Sequence, residues 1–83
     1  MSLHDQIYHR LANAFAPSFL EILDETDKHR RHKHFQPGKY HFRIRIQAST
    51  LQGQSRLATH RAIYQALDNE MDHIHALAIE LKP

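Results

Sequence analysis

Leu3, Ile7, Leu11 and Phe15 recur at four-residue intervals, which sets them on one face of a helix. Ser2 followed by Asp5 has the form of a capping box, with Asp in the place of Glu or Gln. Pro17 has no amide donor and disfavours helix in the residue before it, so the spacing predicts a helix over 3–15. Phe19 to Asp24 alternates instead, with Leu20 and Ile22 on one side and Glu21 on the other, the period of a strand. His41 to Gln47 alternates more cleanly: Phe42, Ile44 and Ile46 point inward, and His41, Arg43, Arg45 and Gln47 point outward. Gly53 marks a turn, and Ser55 caps a second helix running to about Met71, with Leu57, His60, Tyr64, Leu67 and Met71 as its apolar face. The last periodic run, Ile74 to Leu81, reads as a strand in which His75 shares a face with Leu77, Ile79 and Leu81.

This order of helix, two strands, helix, strand predicts one α+β domain over 1–83, built in two layers. The two strands of the hairpin pair antiparallel, and a helical crossover lets the last strand lie parallel to its neighbour. The result is a three-stranded mixed sheet covered on one face by both helices. Glu21 and the two strand arginines would then pair on the open face. Between the first two strands lies a polar, basic stretch, Asp27 to Lys39, long enough to suggest function or disorder.

Charge sharpens this picture. Nine of the 11 Lys and Arg fall between Lys28 and Leu67, where there is no Asp or Glu, although the net charge is only +2. Such sorting can steer an anionic partner to one side of a small domain. The cations available for double-stranded DNA are Lys28, Arg30, Arg31, Lys33, Lys39, Arg43, Arg45, Arg56 and Arg61. The chain has 0 Cys and 9 His, which excludes disulfides, thiolate catalysis and thiolate metal ligands from this chain and leaves imidazole plentiful. No apolar run is long enough to span a bilayer and the N-terminus is unlike a signal peptide, so a cytoplasmic protein with no membrane contact is expected. Neither a nucleophile–base arrangement nor a Gly-rich phosphate loop is present, and an enzyme is not expected.

On the residues alone, His75 is either a core histidine with one hydrogen-bonded nitrogen or a metal ligand near the open end of a sheet. His60 reads as a core residue, and His41 as one on the open sheet face.

Several segments, in order, resemble the BolA family: Ala14-Phe15-Ala16-Pro17, Phe19-Leu20-Glu21, Asp24-Glu25-Thr26 with His29 just after, His41-Phe42-Arg43-Ile44, Gly53-Gln54-Ser55, His60-Arg61-Ala62-Ile63-Tyr64 and Ile74-His75-Ala76-Leu77-Ala78-Ile79. The resemblance covers nearly the whole chain and implies a class II KH-like fold. It also implies a monothiol glutaredoxin partner and a shared 2Fe–2S cluster, used in iron trafficking. Some bacterial members are regarded as DNA-binding regulators of cell shape and stress response. By the resemblance, the histidine of the final strand maps to His75 and a second ligand, from the hairpin loop, maps to His29; His32 and His34 are alternatives to His29. Two sulfurs would come from the glutaredoxin and its glutathione, and no cluster would be tightly bound to the isolated chain, a monomer or weak homodimer. The Gly-x-x-Gly clamp of RNA-binding KH domains is absent, since Gly53 is followed by Gln54-Ser55-Arg56.

Overall fold

The first helix, α1 (Leu3–Phe15), begins where the capping pattern predicts. The Asp5 amide donates to Ser2 Oγ at 3.1 Å. It ends at Ala16, which takes a left-handed conformation (φ 44°) and donates to Ala12 O at 3.0 Å, just ahead of Pro17. These elements belong to a computed structural model that describes residues 2–26 and 40–83.

Strand β1 (Phe19–Asp24) pairs antiparallel with β2 (Tyr40–Gln47), running from Phe19 opposite Gln47 to Asp24 opposite Phe42. Strand β3 (Ile74–Leu81) lies parallel to β2, giving the order β1-β2-β3. The expected three-stranded mixed sheet is therefore formed. Ile22, Phe42, Ile44 and Ile46 on one face meet Ile7 and Leu11 of α1, together with Ile63, Leu67 and Ile74, to make the core. Burying one such aliphatic side chain stabilises the fold by roughly 1.5–3 kcal/mol, so this layer dominates the energetics.

Two readings are corrected in the second helical region. Helix α2 covers Arg56–Ala66, capped by Ser55 Oγ accepting from the Ala58 amide at 3.1 Å, and does not reach Met71. Leu67 turns to extended backbone (ψ 120°), which sends its side chain into the core and ends the helix; a short 3-10 turn over Asn69–His73 then leads to β3. The buried stripe differs in part, since Leu67 is buried and Met71 packs against the core as expected. Thr59 and Ile63 are fully buried, whereas Leu57 is 60 % exposed, Tyr64 40 % exposed and His60 half-buried. Thr59, Ala62 and Ala66, on the same helical spacing as Ile63, are smaller, so docking on that side brings the helix axis closer to its neighbours.

Candidate functional site

Pairing between β2 and β3 is uneven at one end. Tyr40 is opposite Ile74, but His41 is opposite Ala76, so one residue of β2 is matched by two of β3. His75 is the extra residue, the signature of a β-bulge. The consequence is a change of face. Ile74 is buried in the core beside Tyr40 and Phe42, whose rings stack at 5.8 Å, and Leu77 rejoins the core opposite Phe42. His75 is exposed and its ring centroid lies 5.1 Å from that of His41, on the open face. Strict alternation had set His75 with Leu77, Ile79 and Leu81; the bulge overturns that, because a one-residue insertion reverses every side chain upstream of it.

His41 does stand on the open face, alternating with Phe42, yet it is only 9 % exposed. Its backbone is clamped on both sides: the His41 amide donates to Thr26 Oγ1 at 3.3 Å, and its carbonyl accepts from the Glu25 amide at 2.7 Å. Asp24 completes the clamp, its Oδ1 accepting from the Thr26 amide at 2.9 Å and from the Thr26 hydroxyl. Asp24-Glu25-Thr26 is thus an Asx-type turn that fastens the base of the basic stretch to the start of β2. That base and His75 share one end of the sheet. His29, His32, His34, Lys28, Arg30, Arg31, Lys33 and Lys39 lie outside the described residues.

The open face behind His75 carries a charge ladder. Arg45 binds Glu80 through Nε at 2.8 Å and Glu21 at 3.3 Å; Arg43 binds Glu25 at 3.1 Å and Glu80 at 3.6 Å. The hydrogen bond from Arg45 holds the Glu80 carboxyl below its ordinary range, and Glu25 and Glu80 push the Arg43 and Arg45 guanidinium groups up. Two of the proposed DNA contacts are therefore occupied within the molecule. Arg56 and Arg61, by contrast, are exposed on α2, a helix without a single acid, and make no ion pair among the described residues. Glu25 and Glu80 escaped the sequence reading, although a regular row of arginines facing outward is itself a signal of carboxylates across the sheet.

Among the described residues, no group of three or more His, Asp or Glu side chains could hold a metal ion, and no helix is long and apolar enough to cross a membrane.

Comparison with known proteins identifies relatives over nearly all of the chain. A family model described as BolA-like protein matches residues 11–83. A Sinorhizobium protein described only as an uncharacterized protein in the cobS 5' region is 43% identical over 86 residues, covering 96% of this chain and 89% of its own. The DNA-binding transcriptional regulator BolA of Escherichia coli is 34% identical over 80 residues, covering 95% and 73%. Among solved structures, the BolA domain of SufE1 from Arabidopsis thaliana superposes with a TM-score of 0.83 at 32% identity, covering 99% of this chain and 92% of that one.

Proposed function

The chain belongs to the BolA family, and we propose that it is a non-enzymatic adaptor. In this reading it docks on a monothiol glutaredoxin and adds imidazole ligation to a 2Fe–2S cluster held by sulfur from the glutaredoxin and its glutathione. The observation that carries the reading is the bulge, which turns His75 out of the core and presents an exposed imidazole where the basic stretch departs.

The donor set fits a shared site. Among the described residues this end of the sheet offers the exposed imidazole of His75, a second at His73 in the turn before β3, and no cysteine, a poor set for holding an ion alone but a suitable one for completing a partner's site. The second ligand proposed is His29, with His32 and His34 as alternatives. His29 follows Thr26 by three residues in the sequence, and Thr26 is bonded to the backbone of His41. Bound there, the cluster would supply one-electron chemistry or be the cargo passed on, and imidazole ligation raises the potential of such clusters relative to all-thiolate ones. His75 would supply one imidazole nitrogen, and the clamp at Asp24-Glu25-Thr26 fixes the chain just before the segment bearing the second.

The test is to mix the protein anaerobically with a cluster-loaded monothiol glutaredoxin and record visible circular dichroism. New bands are expected with the wild type and not with His75→Ala. An unchanged spectrum, or bands that survive His75→Ala, removes the adaptor reading.

A second reading, DNA binding, is favoured by one observation: Arg56 and Arg61 are exposed on an acid-free helix and make no ion pair among the described residues, and relatives from Escherichia coli and Vibrio cholerae are named DNA-binding transcriptional regulators. If both arginines contact phosphates, Arg56→Gln with Arg61→Gln should weaken duplex binding and flatten the log–log salt slope by about 1.8. An unaltered slope excludes them.

A further inference from the structure

We infer that His41 is a positioning residue for His75, a wall that holds the His75 ring in one orientation on the open face. The consequence for cluster ligation rests on the adaptor reading; the positioning itself does not.

Three observations converge. The bulge leaves His75 on the open side, where its own strand continues with Ala76 and Ala78, both too small to fence an imidazole. The ring beside it is His41, at 5.1 Å between centroids and tilted by 55°, inside the range where aromatic rings attract. And His41 is fit to serve as a wall because it is itself immobile: 9 % exposed, with its amide and carbonyl both bonded to the Glu25-Thr26 turn. An exposed histidine without such a neighbour distributes over its staggered rotamers. A ligand held in one of them binds with less loss of freedom, which is why supporting partners commonly change metal affinity by about 10–100-fold. The Asp24-Glu25-Thr26 turn thus has two tasks, anchoring the basic stretch and fixing the residue that aims His75.

The experiment is side-chain NMR on the full-length protein, reading the χ1 couplings of His75 in the wild type, His41→Ala, His41→Leu and His41→Phe, with amide spectra to verify folding. A single His75 rotamer is expected in the wild type and in His41→Phe, which keeps a ring, and averaging in His41→Ala and His41→Leu. If the Ala variant does not fold, the Leu variant, apolar but ringless, decides the matter. Averaging already present in the wild type, or a single rotamer in the folded ringless variants, overturns the inference. With the cluster-loaded glutaredoxin, the dichroic bands should need about tenfold more ringless variant than wild type to reach half amplitude, and the Phe variant should restore the wild-type midpoint. Equal midpoints for ringed and ringless variants overturn the link to ligation. Absence of bands with the wild type defeats the adaptor reading alone, since the rotamer measurement still decides the positioning.

Discussion

Replacing Arg10 by methionine is expected to cost more stability than replacing Glu70 by glutamine, although both remove the same ion pair. Arg10 Nε donates to Glu70 Oε1 at 2.9 Å, but the partners are unequally buried: the Arg10 side chain is 47% exposed and that of Glu70 only 5%. Without the carboxylate, the guanidinium returns to water, and glutamine keeps an acceptor for it; about 1 kcal/mol should be lost. Without Arg10, a buried carboxylate keeps only the Asp68 amide, at 3.4 Å, as a donor among the described residues. An uncompensated buried charge costs about 3 kcal/mol, a large part of the roughly 4–12 kcal/mol expected for a domain of this size. Urea unfolding at neutral pH should therefore show a small drop in midpoint for Glu70→Gln and a large one for Arg10→Met. The latter corresponds to a fall in Tm of roughly 15 °C. The pair also pins the turn over Asn69–His73 that feeds the bulge, so amide exchange at Ile74 and His75 should quicken in Arg10→Met. Equal losses for the two variants, or the reverse order, would refute the argument from unequal burial.

Other expectations follow from single positions. Thr59 is fully buried with no hydrogen-bond partner for Oγ1 among the described residues, so Thr59→Val should stabilise by about 1 kcal/mol and raise Tm by roughly 5 °C; a lower Tm would show that the hydroxyl is satisfied. Ile63→Ala should cost about 2–5 kcal/mol and Leu57→Ala under about 0.5 kcal/mol, measured by denaturant midpoints; comparable losses would restore the apolar stripe read from the sequence. Glu80 has its folded pKa lowered beneath the ordinary 4.5, so its contribution is complete above that value and is lost as the pH falls through the folded pKa. Midpoints followed from pH 7 to about 3 should accordingly fall less steeply in Glu80→Gln than in the wild type, and parallel curves would count against the ladder. Ala16→Gly, at a positive φ of 44°, should stabilise by up to about 1 kcal/mol in the same assay, and a loss would argue against the left-handed cap.

Much of this architecture was legible in the chain. The period-four apolar row of α1, its Ser2 cap, the limits of β1 and the alternation of β2 are local properties, set by how each residue meets its immediate neighbours, and the structure reproduces them. The family, too, could be read from the order and spacing of short motifs. Where two patterns were locally equivalent, sequence had no means to choose. On α2, the stripe read through Leu57, His60 and Tyr64 to Leu67 and one through Thr59 and Ile63 to Leu67 share the same kind of spacing, and the choice came from the small residues that allow close docking against the rest of the core. The pairing of Arg45 with Glu21 was legible from the alternation of β1 and β2, whereas Glu25 and Glu80, which hold Arg43 and Arg45 from the Asp24-Glu25-Thr26 turn and from β3, were hidden because only tertiary pairing brings them alongside.

The orientation of His75 is the sharpest case. Alternation is a rule for a strand in isolation, whereas a bulge is a relation between two strands: Ile74 fills the core beside Phe42 and Leu77 does so again opposite it, and one surplus residue between them has to turn the other way. The amino-acid order determined that an imidazole would stand at the head of β3. Pairing with β2 decided which side of the sheet it faces, because register is set by the sum of contacts along the whole ladder and not by any residue within it.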